Sequence, residues 1–135
     1  MASDIVSIRA PEPVGAFPHA KRVGNLLFLS GIGPRTRGTS QIPAGIEAQC
    51  RAVFENVRTV LEDAGSSWEK IVDVTVFLTD MTGDFAAYNK LYAEYFAGEG
   101  KPNPTRTTVE VTRLPTPIAI ELKVIAEVRE RKAPT

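Results

Sequence analysis

The sequence predicts an α+β domain, and three observations carry that reading. Residues 45–65 and 84–96 hold apolar side chains at spacings of three and four, the signature of helices with one buried face. Residues 26–30, 71–78 and 118–128 are rich in branched or alternating apolar residues and read as strands. The last two strands adjoin without a helix between them, so the order is β, β, α, β, α, β, β. Two helices cover one face of such a sheet. The apolar character of Leu26–Ser30 on both sides suggests that other copies of the chain bury the second face.

Taken in order, Ile5-Val6-Ser7-Ile8 reads as a short strand, followed by prolines that force extended chain. Gly15 to Ala20 reads as a loop that carries His19, the only histidine. Two readings of His19 stand side by side, a surface histidine or part of a site. A turn at Gly24-Asn25 leads into the strand Leu26–Ser30, which ends in Ser30-Gly31-Ile32-Gly33-Pro34. Glycines there end a strand, or admit a ligand close to the backbone. No dinucleotide fingerprint is present, because GxGxxG is lacking and no helix follows at once. Arg35 and Arg37 lie in a polar, turn-rich stretch, where each either meets an anion or is solvated.

The first helix spans Gly45 to Gly65, with Gly65 as its C-cap. Cys50 falls on its apolar stripe and reads as a buried small hydrophobe. Ser66 to Glu69 is a turn, Ile71–Leu78 a strand, and Asp84–Phe96 a helix with an aromatic side read chiefly as core. Asn89 is the odd member of that stripe, and its amide needs hydrogen-bond partners. Asn103 to Val128 reads as two strands joined by the turn Leu114-Pro115-Thr116-Pro117. Arg106 sits near the start of the first strand and Glu121 within the second. The tail beyond Glu127 reads as frayed.

Composition narrows the class. The chain has 135 residues, enough for one domain over residues 1–135. Lys plus Arg and Asp plus Glu number 16 each, so no net charge drives binding to nucleic acid or to a membrane surface. A single cysteine excludes an internal disulfide, and one Cys with one His argues against zinc. Without an apolar run near 18 residues or a leader, a soluble cytoplasmic protein is expected.

The blocks Gly15–Ala20, Val23–Gly31, Ile46–Gln49, Asn56–Ser67, Val74–Met81, Pro104–Val111, Leu114-Pro115 and Ile120-Glu121 together resemble the RidA family, also called YjgF. The resemblance spans nearly the whole chain. It implies a chorismate-mutase-like fold, a mixed sheet with two helices packed on one face, and a homotrimer with sites between subunits. It also implies hydrolytic deamination of enamines and imines to 2-oxo acids, with neither metal nor organic cofactor. By that resemblance Arg106 grips the substrate carboxylate and Glu121 positions or activates water. Ser30, Gly31, Asn89, Phe17, His19 and Thr108 then line the substrate pocket.

A guanidinium fork suits a carboxylate, and a carboxylate can orient water at an imine carbon. If the turn closes a simple hairpin, Arg106 stands opposite Ile125 and Glu121 opposite Glu110, about 13 Å apart. That is too far for one small imino acid. Either a bulge alters the register, or a site takes Arg106 from one chain and Glu121 from another. Three positions depart from the family pattern. Phe17 lacks the usual tyrosine hydroxyl, Thr108 stands where a cysteine is common, and the connection from Gly33 to Gly45 is short.

The loop Gly15-Ala16-Phe17-Pro18-His19 with Pro104–Thr108 is most similar to the 2-aminomuconate deaminase branch. That substrate has two carboxylates, and His19, Lys21, Arg35 and Arg37 are candidates to hold the second. The alternatives are a general 2-iminoacid deaminase and a non-catalytic trimer that binds a small ligand. RNA cleavage fits the neutral charge poorly. Chorismate mutase activity would rest on fold analogy alone.

Overall fold

The computed structural model describes residues 2–128. The tail expected to fray lies outside them, apart from Val128, which is buried and donates its N–H to Asn25 O. Chain order is β1 (Ala2–Ile5), β2 (Ala20–Val23), β3 (Leu26–Leu29), α1 (Ile46–Asp63), β4 (Ile71–Leu78), α2 (Met81–Phe96), β5 (Thr105–Glu110) and β6 (Ile120–Glu127). One mixed sheet runs β1-β2-β3-β6-β4-β5, with only the β4–β5 pair parallel.

The helix α1 forms where the period-3.6 pattern placed it. Cys50, Val53, Phe54, Val57, Val60 and Leu61 are all fully buried along one side. Its end is a Schellman motif. Gly65 takes φ 82°, Ser66 N–H bonds Leu61 O at 2.8 Å, and Gly65 N–H bonds Glu62 O at 3.1 Å. Burial pushes the Cys50 thiol up to about 12, which makes it a core hydrophobe rather than a nucleophile. The helix α2 begins at Met81, three residues before the expected Asp84, because the Asp80 side chain caps it by accepting from Gly83 N–H at 3.0 Å.

Both helices cover the same sheet face. Leu27, Leu29, Val74, Val76, Leu78, Ile120, Leu122, Val124 and Ala126 point into that core and are fully buried. Phe54, Trp68, Tyr95 and Phe96 close its end in tilted and edge-on contacts. Alternation sends Phe28, Thr75, Phe77, Glu121, Lys123 and Ile125 to the opposite face, where they are only half-buried. No element among the described residues covers that face.

Three expectations are corrected. The first strand lies at Ala2–Ile5 and not at residues 5–8, and Ala20–Val23 forms an additional strand. The hairpin does not exist. β5 leaves the proline-rich turn for the sheet edge and pairs in parallel with β4, while β6 lies on the other side of β4. Alternating apolar residues and a turn specify two strands, but not which neighbour each strand pairs with.

Candidate functional site

Glu121 is placed by an irregularity between β3 and β6. Phe28 pairs with Ile125, yet Ile32 bridges Leu122. The chain advances four residues on one side for three on the other, which is a β-bulge. The extra residue falls in Leu29-Ser30-Gly31, and Gly31 there abuts the Glu121 carboxylate. A Cβ on Gly31 would stand 2.6 Å from Glu121 Oε2. Gly31→Ala is therefore expected to displace the carboxylate. In the catalytic role that the resemblance implies for Glu121, this should lower turnover by about tenfold or more, since small misplacements of a reacting group are costly. Thermal melting should stay close to wild type, and rate and melt measured together check this.

The carboxylate opens into a cavity of about 60 Å³ whose lining includes Phe17, His19, Ser30, Gly31, Ile32 and Arg35. Among the described residues no hydrogen bond or ion pair engages the Glu121 side chain. Burial alone raises its pKa above the usual carboxylate range.

The walls of this cavity are tied down by polar contacts. Ser30 Oγ donates to Pro18 O at 2.7 Å, and Ser30 N–H to His19 O at 2.9 Å. His19 is 3% exposed, so the surface-loop alternative is ruled out. Its Nδ1 accepts Ser7 N–H at 2.9 Å and its Nε2 donates to Pro11 O at 2.8 Å. With Nδ1 accepting, the ring is neutral, and it braces the wall instead of offering a cation. Arg37 also leaves the list of cations, since it donates to Ala10 O and holds the N-terminal segment. Lys21 pairs with Asp4 at 3.7 Å. Arg35 alone of these four lines the cavity while keeping a charge, and it bonds only backbone carbonyls, of Thr39 and Glu12.

Arg106 belongs to a second cluster. It pairs with Val74, so its side chain lies on the helix-covered side, at the β5 edge. Nη1 donates to Asn89 Oδ1 at 2.8 Å. The guanidinium lies 4.7 Å from the Tyr92 ring centroid and 5.5 Å from that of Tyr88. Thr108, two residues on, shares its face, and Thr108 Oγ1 meets Tyr88 Oη at 2.8 Å. Asn89 and Arg106 are exposed while both rings are buried, so the guanidinium rests over the rings at an open edge.

The two clusters lie apart on one chain. Val124 is the β6 residue in line with Arg106 through Val74. Glu121 is three positions further along β6 and two strands away. The Cα atoms are thus about 14 Å apart, and the side chains leave opposite faces. The route differs from the expected hairpin, yet on one chain the two groups stay apart. Sequence reasoning took Tyr88 and Tyr92 as core. The signal available was that two phenols, Tyr88 and Tyr92, flank the odd amide Asn89 on the same stripe. The hydroxyl of Tyr92 is buried with no hydrogen-bond partner among the described residues, and burial pushes it up to about 12.

The fold is a mixed six-stranded sheet backed by two helices, with Glu121, unpaired among the described residues, in a cavity and an arginine over two buried rings, an arrangement suited to a small anionic ligand. A family model described as Endoribonuclease L-PSP matches residues 7–128. A RutC family protein of Pyrococcus horikoshii is 43% identical over 127 residues, covering 93% of this chain and 98% of that one. A protein of Escherichia coli K12, provisionally named reactive intermediate deaminase TdcF, is 36% identical over 126 residues, covering 93% and 97%. The crystal structure of E. coli TdcF with bound serine superposes with a TM-score of 0.86 at 37% identity, covering 95% and 99%. The chain belongs to the Endoribonuclease L-PSP family, the group that the sequence motifs resemble under the names RidA and YjgF.

Proposed function

We propose that the protein hydrolyses enamine or imine acids to 2-oxo acids and ammonia, without a cofactor, in a homotrimer whose sites lie between chains. The observation that carries this is Glu121, a half-buried carboxylate with no side-chain partner among the described residues, facing a cavity. Structural carboxylates in a fold are ordinarily paired or solvated; one left bare is suited to a proton-transfer role. An enamine first takes a proton at carbon to become the iminium ion. Water then adds to the C=N carbon, and Glu121 accepts one water proton and passes it to nitrogen. As the C–N bond breaks and ammonia leaves, Glu121 takes the remaining O–H proton and the carbonyl forms. Arg106 from a neighbouring chain holds the carboxylate. The half-buried Phe28, Phe77 and Ile125 supply an apolar face for the contact between chains.

Within this class we take 2-aminomuconate as the substrate, giving 2-oxohex-3-enedioate (4-oxalocrotonate) in aromatic-compound catabolism. Arg35 supports it, as a charged group in the cavity with no carboxylate partner among the described residues. Arg35→Ala should raise KM for the dicarboxylate about tenfold and leave a monocarboxylate imine unaffected, while Arg37→Ala should change neither. Equal KM values for the dicarboxylate in wild type and Arg35→Ala would exclude this role.

A general 2-iminoacid deaminase is the second reading, favoured by the name of the TdcF relative and the serine in its structure. Ammonia release from freshly generated 2-aminomuconate and from iminopyruvate, assayed side by side, separates the two. Ligand protection without turnover of either would favour a non-catalytic binding trimer. The endoribonuclease label of the family has no counterpart in the charge balance, and a cytoplasmic location fits this chemistry. No helix among the described residues is long and apolar enough to cross a membrane.

A further inference from the structure

The carboxylate clamp read above rests on Arg106 alone. A guanidinium fork satisfies two in-plane lone pairs of a carboxylate and leaves further acceptor capacity on the same oxygens. Thr108 lies on the same face of β5, two residues along, about 7 Å from Arg106 between Cα atoms. Its hydroxyl is engaged by a single described partner, Tyr88 Oη at 2.8 Å. The Tyr88 side chain is fully buried and lies under the Arg106 guanidinium.

The direction of the Tyr88–Thr108 hydrogen bond follows from acidity. A phenol is a far stronger acid than an aliphatic alcohol, so it is the better donor. With Tyr88 Oη–H donating to Thr108 Oγ1, the threonine proton is left free to donate elsewhere. Polarisation along such a chain strengthens the second bond. Desolvation also keeps the Tyr88 phenol protonated across the working pH range, so the donor persists.

We propose that Tyr88 is a positioning residue and Thr108 a second carboxylate donor, forming a relay from Tyr88 through Thr108 to the oxygen that Arg106 also grips. Resting on the Arg106 clamp, this relay does not depend on the reaction that follows. A phenylalanine at position 88 keeps the aromatic bed and removes the relay. A valine at position 108 keeps the strand and removes the donor.

The test is calorimetric binding of pyruvate, a simple 2-oxo carboxylate, beside steady-state kinetics on iminopyruvate. Tyr88→Phe and Thr108→Val should each weaken pyruvate binding roughly three- to tenfold, the net worth of one ordinary hydrogen bond. Their combined effect should be less than additive, because both break one chain. KM should move more than kcat, and Thr108→Ser, which restores the hydroxyl, should recover most of the loss. A purely structural Tyr88 would lower the melting temperature without this split or this rescue. Wild-type affinity in Thr108→Val, or full additivity of the pair, overturns the relay. Pyruvate binding that is sensitive to both variants, in a protein that releases no ammonia, would keep the relay and sink the deaminase reading.

Discussion

Replacing Arg106 with alanine is expected to cut kcat/KM for an imino acid by about two to three orders of magnitude, which corresponds to about 3–4 kcal/mol. The loss is that of a bidentate, charge-assisted contact whose partner then lacks a counter-ion. Little of it should come from unfolding. Arg106 is exposed, and its protein contacts are one amide oxygen and two ring faces. Lysine should recover only a small part, because an ammonium cannot reproduce the fork or lie flat on Tyr92. Kinetics together with a melting curve check both statements. An unchanged kcat/KM in a folded Arg106→Ala protein would remove the clamp.

Glu121→Gln should act differently. Removing a general base costs about two to four orders of magnitude in kcat, while KM should change only a few-fold. The pH dependence follows from burial. Desolvation disfavours the charged form, so Glu121 stays protonated to a higher pH than an exposed glutamate. In the proposed reaction the active form is the carboxylate. The acid limb of kcat/KM should therefore lie above the usual carboxylate range, with activity rising as pH rises through it.

Stability should run the other way. A carboxyl whose folded pKa is raised gives its full stabilising contribution at low pH and loses it as pH rises through that value. Near neutrality Glu121→Gln should therefore melt at or above wild type, and the difference should vanish in acid. A variant that is slower and more stable is the mark of a group kept for chemistry. A destabilised Glu121→Gln protein would instead point to a carboxylate that serves the fold.

The two variants together test the shared site. Each alone is expected to be nearly inactive. Subunits mixed and exchanged in equal amounts should place an intact Arg106 beside an intact Glu121 at about a quarter of the contacts between chains. About a quarter of wild-type activity should return, and none should return if both groups of a site come from one chain.

Much of this arrangement was legible in the sequence. Ile71–Leu78 shows its strand directly, because alternate β-branched residues meet the core. α1 was legible because six core positions from Cys50 to Leu61 keep helical spacing. β2 was not, since Ala20-Lys21-Arg22-Val23 buries just one side chain on the sheet and carries no pattern. The partner of β5 was not legible either, because parallel pairing joins residues 32 positions apart, Asp73 with Thr105 and Leu78 with Glu110. Glu121 and Arg106 were found through motif resemblance. The rings under Arg106 were hidden because a buried phenol and a buried phenylalanine occupy the same positions on a helix. Asn89, by contrast, stood out as an amide in an aromatic stripe.

The position of β6 has a consequence for how the chain is made. It is the last strand of the described fold to leave the ribosome, yet it is flanked by β3 and β4 and joins them into one sheet. Until it arrives, the earlier strands and both helices cannot close a common core. Two unpaired edges stay open for the whole time that residues 79–119 are being synthesised. Rapid stepwise folding of the nascent chain is thereby ruled out, and a late concerted collapse is the natural route, governed by contacts distant in sequence. A nascent chain stalled before Ile120 is a natural client for chaperones.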